Sequence, residues 1–538
     1  MLLSPTERPP TYRAPADDGG LLSVPAWDEL PALAQQGALL DAAPVEIGGV
    51  SLGEFRRQAK AELALLAHEY VAEYADAPAR LDPAAPIVVA GHQPELIHAG
   101  VWLKNFAASE LAGRLGGGAI NLVIDSDAAH GATIRVPAGD PATPRFELLP
   151  FDAPCEPIAW EERRVIDAAT WQSFGARAVE AMRPWGVDPL ARTWWPTVLA
   201  SRGTPPGLAL AQARHALEIE WGARTLELPQ SAVGRSHSFR RFACVLLAEL
   251  PRLVAAYNGA LAEFRRIHRI RNHAHPAPNL ATDGRWFEAP FWSWSTSDPT
   301  RRPLFARRIG DEVEIADRGR FVQRLPLGGS GDCDTAIDVL AACEARGVKI
   351  RSRALATTLF ARLALADLFI HGIGGARYDE ATDAISREFF GLTPAPYAAM
   401  TGTLRLPIPL PREADAEINT RRRDLRDLRF HPERFLAGAD LDAEGDRVAA
   451  VLVAEKRRWI AAEKSPANAR ARHLGIEGAN QALAALLADV RGRTTASREA
   501  ARQRARAGAI LGSREYAFCL FPHDRLQQFL LDFPRRLP

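Results

Sequence analysis

Cysteine is scarce in this chain. The five present, Cys155, Cys244, Cys333, Cys343 and Cys519, are scattered, odd in number and contain no CxxC pair. That excludes a disulfide scaffold and a cysteine-built structural zinc site, and it implies reduced thiols in a cytoplasmic protein. An excess of charge is missing too: 66 basic and 65 acidic side chains leave a formal net charge of +1. Nothing in that balance calls for nucleic acid or an anionic membrane as partner. No apolar run reaches the roughly 20 residues that span a bilayer. The opening MLLSPTERPPTYRAPADDGG has neither a basic start nor a long apolar core, so no secretory signal is expected. No segment repeats with a period of about 20 to 50 residues, which excludes a solenoid or propeller. A Walker-type GKS/T loop and a KMSKS-like segment are also lacking.

What remains is an ordinary globular composition, 47% hydrophobic and 24% charged, in a chain of 538 residues. That length exceeds one ordinary core and implies two or three domains.

The most informative stretch runs from Pro86 to Asp127, PIVVAGHQPELIHAGVWLKNFAASELAGRLGGGAINLVIDSD. An apolar run stops at Gly91, a loop carries His92, Gln93, Glu95 and His98, and a helical pattern starts at about Ala99. A second apolar run, Ala119 to Ile124, ends in Asp125-Ser126-Asp127. Strand, glycine turn, helix, strand and acidic end in that order read as a βαβ unit, with ligands expected beyond the C-terminal strand ends. Before it, Leu52 to Glu73 reads as an amphipathic helix with Phe55, Ala59, Leu63, Leu66 and Tyr70 on one face.

Residues 139–329 look like inserted α+β material: a strand-like LELPQSAV, a long helix from Ser238 to about Arg269, and an aromatic strand, WFEAPFWSW. EVEIADRGRFV reads as a small hairpin. Parallel-sheet character returns after Gly329, with a short strand at Val348-Lys349-Ile350 and a buried one from Asp367 to His371. That strand meets a glycine-rich turn and then a helix. From Pro411 the pattern is almost wholly helical, and ADAEINTRRRDLRDLRF with GANQALAALLADVRGRTTASREAARQRARAGAIL reads as two antiparallel arms. The expected fold is therefore α/β: a Rossmann-like parallel-sheet domain over 1–410 with the insertion, then a C-terminal antiparallel helical hairpin over 411–538.

Chemistry-bearing residues concentrate at the strand ends. Gly91, His92, Gln93 and His98 flank a helix start, where free N–H groups attract a phosphate or carboxylate. Imidazoles there can hydrogen-bond an anionic transition state; equally, His98 can cap the helix. Lys104, on the same helix, reads first as a solvated side chain and second as a group facing the site. Asp125 and Asp127, with His130 after them, can act as base, orient an amine or hold Mg²⁺, or merely form a turn. His371, Gly374, Gly375 and Tyr378 form the second cluster, glycines allowing close backbone approach or positive φ. Arg351 and Arg353 are candidate anion clamps, one of them equally readable as a structural ion pair. His268, His273 and His275 lack a placed carboxylate or cysteine and make a weak metal set. Phe287, Phe291, Trp292 and Trp294 read as a buried aromatic face before a stacking platform.

On these segments the chain resembles the bacillithiol synthase family of cysteine-adding ligases. The matching residues are Gly91-His92-Gln93, the acidic segment Asp125 to His130, Arg353-Ala354-Leu355, and Gly374-Gly375 with Tyr378; the closing FCLFPHDRLQQFLLDF is similar in style. The resemblance implies a Rossmann-like domain, homodimers formed through the C-terminal helices, and a ligase joining an amine-bearing small molecule, such as an amino sugar conjugate, to an amino acid such as cysteine. In that reading His92, Asp127 and His130 are catalytic. Gly91, Gln93, His98, Asp125, Arg353, His371, Gly374, Gly375 and Tyr378 bind ligand. A nucleotide, ATP or ADP with Mg²⁺, is the cofactor class to expect. Two alternatives stay open: a nucleotidyl transferase using the His92/His98 loop on ATP or CTP, and a non-catalytic nucleotide- or metabolite-binding dimer.

Overall fold

The computed structural model describes residues 12–129, 131–201, 203–328 and 333–537. They divide into two compact units. The first takes the described residues of Met1–Arg135, Leu148–Leu406 and Arg514–Pro538, and the second takes Val136–Glu147 and Pro407–Ser513.

The first unit is mixed α/β. In chain order the strands that position the site begin with β1 (Leu21–Val24), β2 (Ile87–His92), β3 (Gly118–Val123) and β4 (Thr225–Pro229). Next come β5 (Trp286–Ser295), β6 (Asp298–Ile309), β7 (Glu312–Ala316), β8 (Val322–Leu325) and β9 (Val348–Ser352). The last two are β10 (Leu368–His371) and β11 (Tyr397–Gly402). Six of them build one sheet in the order β1-β11-β10-β2-β3-β4, parallel except for antiparallel β1. Ile87 to Ala90 in β2 and all of β10 are buried, as strands covered on both faces require.

The chain leaves β2 for β3 and β4 on one side and returns to β10 and β11 on the other. The strand order therefore reverses between β2 and β10, and a crevice opens beyond their C-terminal ends. At the opposite ends, Asp367 holds the two strands together, its Oδ2 accepting the Ile87 N–H at 2.8 Å. Arg56 and Lys60, on helix α1 (Leu52–Ala72), neutralise that buried carboxylate at 2.7 and 2.8 Å. The remaining helices around the site are α2 (Ala99–Leu115), α3 (Pro206–Glu220), α4 (His237–Ala248), α5 (Leu250–Ile267), α6 (Ala354–Phe360) and α7 (Ile373–Phe390).

Three expectations need correction. The short strand at Val348 is not in the parallel sheet: as β9 it pairs antiparallel with the aromatic β5 in a second sheet, β8-β7-β6-β5-β9. Its first three residues are only half-buried, unlike the fully buried strands at the centre of the parallel sheet. Thr225–Pro229, assigned to the insertion, is instead an edge strand of the central sheet, buried at all five positions. The long helix from Ser238 is broken into α4 and α5 at Glu249, with an 89° bend. Pro251, lacking an N–H, starts a new helix there, while Asn258-Gly259 lies within continuous α5.

Among the described residues no single helix is long and apolar enough to cross a membrane; α4 and α5 pass that test only as a bent pair. Their apolar side chains belong to the core cluster of the first unit.

The second unit carries α8 (Asp415–Phe430), α9 (Ala443–Ala461), α10 (Ala469–Leu486) and α11 (Ala488–Leu511). α8 packs on α11 and α9 on α10. Glu417 meets Arg504 while Arg421 meets Ser497, so α8 and α11 run antiparallel. The second expected arm is interrupted at Leu487, which separates α10 from α11. Residues 514–538, expected with the helical part, group with the first unit.

Candidate functional site

The β2/β10 crevice opens into a cavity of about 760 Å³. Gly91 and His92 at the end of β2, Leu122 and Ile124 at the end of β3, and Phe369 and His371 of β10 form its floor. His371 stands beside Gly91 because Ile370 pairs with Ala90 in register. Two motifs about 280 residues apart thus share one wall, as their common position at strand ends requires.

On the β2 side, a His92 Nδ1–H donates to the Gln93 carbonyl at 3.0 Å, which leaves Nε2 as an acceptor. Burial, then the Lys104 charge, lowers the His92 pKa to about 3, so the ring is neutral. Gln93 donates Nε2–H to Asp127 Oδ2 at 3.0 Å, and Arg301 donates to Oδ1 at 3.2 Å. His98 is the N-cap of α2, its Nδ1 accepting the Gly100 N–H at 3.1 Å, while its ring also lines the cavity. Burial, then Arg514 and Lys104, lowers its pKa to about 3.

On the β10 side, the glycine-rich segment is not a turn with positive φ. Gly372 caps α7, and Gly374 and Gly375 lie inside the helix's first turn. Glycine at 375 has a packing reason: a Cβ there would sit 2.6 Å from His371 Nδ1. A Cβ at Gly374 would meet nothing within 4 Å, so that backbone faces open space. The start of α7 has no side-chain cap and no acidic residue in its first turn, which leaves its first N–H groups unbonded within the helix. His371 Nε2 lies 2.6 Å from Asp379 Oδ2, and Tyr378 Oη lies 3.2 Å from His275 Nε2.

Other expectations fare differently. Asp125 does not reach the cavity: fully buried, it accepts from Ser231 N at 2.8 Å and Ser231 Oγ at 2.5 Å, tying β3 to the chain after β4. Burial, with Glu161 adding, pushes its pKa up to about 7. His130 lies outside the described residues. Arg353 lines the cavity with Nη2 bonded to Glu288 at 2.6 Å, and Arg351 is the structural ion pair, buried between Glu161 and Glu344. His268 pairs with Glu380 at 2.7 Å, apart from His275, and no group of three or more metal-capable side chains occurs among the described residues. Phe291 and Trp294 are buried as expected, whereas Trp292 lines the cavity beneath Arg353 and Arg301, 4.1 and 5.0 Å from its ring centroid.

Sequence reasoning preferred the wrong alternative for Lys104 and missed Arg301 and Arg514. Lys104 is 3% exposed, lines the cavity and donates to the Gly91 carbonyl at 2.8 Å. The signal was present: α2 reads AGVWLKNFAASELAG, with too little polar surface around Lys104 to give it a solvated face. Arg301 and Arg514 reach the site only through tertiary folding, from β6 and from the chain after α11, and carry no local signal.

No protein-family model matches the chain, and no curated protein is significantly similar to it in sequence.

Proposed function

We propose that the chain is a bacillithiol-synthase-like ligase, its site built on a Rossmann-like sheet, joining an amine-bearing small molecule to an amino acid such as cysteine. One observation carries this reading: His92, Asp127 and the exposed start of α7 line a single cavity. The α7 N–H groups receive an acidic group of one substrate. Asp127 draws in the ammonium of the amine substrate and accepts its proton, while Gln93 and Arg301 hold that carboxylate in place. His92, at about 3, lies too far below neutral for an efficient general base. Its Nε2 instead accepts a hydrogen bond from the amine and orients the lone pair toward the carboxyl carbon. A C–N bond forms, the nitrogen loses its proton, and the carboxyl oxygen leaves as water or on a phosphoryl group supplied by a nucleotide.

The test is mass spectrometry after incubating the protein with glucosaminyl carboxylate conjugates and cysteine, with and without ATP and Mg²⁺. The expected product has the summed mass less one water. His92→Ala should abolish it with little change in melting temperature, because at the last position of β2 the side chain lines the cavity and truncation leaves the strand pairing intact. Adenylylated product with release of pyrophosphate, in place of condensation, would overturn the ligase reading in favour of nucleotidyl transfer. Ligand binding without any product would make the chain a binding module.

A further inference from the structure

Among the described residues the Lys104 ammonium has no carboxylate partner. Its one hydrogen bond to them goes to the neutral Gly91 carbonyl, and the group lines the cavity. Four titratable groups interact electrostatically with it, and none of them supplies a counter-charge. His92 on β2 and His98 at the start of α2 are held unprotonated by burial. His371 on β10 is lowered by burial and bonded to Asp379. Arg214 on α3 is fully engaged by Glu218 and Glu227. Burying a cation without a counter-charge is costly, and an incoming anion offsets that cost. The second anion-seeking feature of the same cavity is the uncapped start of α7, where Gly374 leaves the backbone open.

We infer that Lys104 is the counter-charge that captures the acidic group of the ligand, an oxyanion of carboxylate or phosphate type, against the first turn of α7. This deepens the ligase reading by assigning the group that holds one substrate, yet it is measurable without turnover. Burial, and secondarily Arg214, lowers the Lys104 pKa to about 7. A bound anion raises it again, so above neutral pH the anion enters together with a proton. Lysine suits this task because its charge responds to burial, whereas arginine stays charged.

Calorimetric titration of the full chain with sulfate and with succinate, in two buffers of different ionisation enthalpy, tests the inference. The two anions separate a phosphate-like from a carboxylate preference, and neither titrates at about pH 8. There, binding should take up close to one proton per anion, and for sulfate, which stays a dianion at lower pH too, the uptake should fall to almost none at about pH 5.5. Lys104→Arg should bind without proton uptake. Lys104→Met should bind about tenfold more weakly or worse, and if it fails to fold, the Lys104→Arg comparison still decides. Equal affinity in Lys104→Met, proton uptake persisting in Lys104→Arg, or no binding of either anion at millimolar concentration would overturn the inference. Lys104-dependent anion binding without condensation product would sink the ligase reading alone. Condensation unaffected by Lys104→Met would sink the Lys104 assignment alone.

Discussion

His371 and Asp379 are joined by a 2.6 Å contact between Nε2 and Oδ2 that clamps the end of β10 to the second turn of α7. Arg362 reaches the same carboxylate oxygen at 3.0 Å. Burial by itself would raise the Asp379 pKa, but the charges of His371 and Arg362 outweigh it and hold the carboxyl well below its usual range. Because the folded pKa is depressed, this carboxylate's stabilisation is complete above about pH 4 and lost as pH falls through the folded value. Asp379→Asn leaves Arg362 with less counter-charge and should cost about 3 kcal/mol at neutral pH. Urea unfolding measures it; an unchanged midpoint would contradict the clamp.

The neutral histidines predict a second acid response. His92 and His98 sit at about 3 when folded, against about 6.5 unfolded. Their contribution is complete above about pH 6.5 and declines as pH falls toward 3, by about 1 kcal/mol per pH unit for each ring. Asp125, pushed up to about 7, works in the opposite sense over the same window. The histidine share is therefore the difference in slope between the native chain and His92→Gln/His98→Gln, from unfolding at several pH values. Parallel slopes would show that the rings are solvated.

Adjacent glycines should behave oppositely. A methyl at Gly375 collides with His371 Nδ1 at 2.6 Å, so Gly375→Ala should destabilise by about 1 to 3 kcal/mol and displace the ring. Gly374→Ala meets nothing within 4 Å and gains helix propensity, so its stability should be unchanged or up to about 1 kcal/mol higher. Thermal melting of the two variants checks both signs.

The helical unit should associate with a second copy. Val448, Val451, Ile460 and Leu474 on α9 and α10 are 42% to 66% exposed, apolar surface that a two-fold contact would cover. Light scattering at micromolar concentration is expected to give twice the 58.7 kDa chain mass. A monomer mass that does not change with concentration would rule the dimer out.

Much of the site was legible because strand ends announce themselves. The apolar runs that stop at Gly91, Ile124 and His371 are continuous enough to be read without neighbours, and whatever follows them must lie beyond the sheet. The register of the second sheet was not legible, since the half-buried Val348 strand gives the same short pattern whichever sheet it joins. Gly375 was legible as important but not for the right reason: a glycine required by a neighbouring ring looks the same in sequence as one required by a turn.

The sequence by itself determined the central strands and the placement of His92, Gln93, Asp127 and His371 at their ends, because hydrophobic periodicity and chain breaks are local properties. Only the tertiary structure decided that Asp125 turns to Ser231 while Asp127 faces the cavity, and that Arg301, Trp292 and Arg514 join the same wall. It also decided the state of Lys104, whose charge depends on the desolvation around it and on the like charge of Arg214, and those come from β2, β10 and α3 rather than from its own helix.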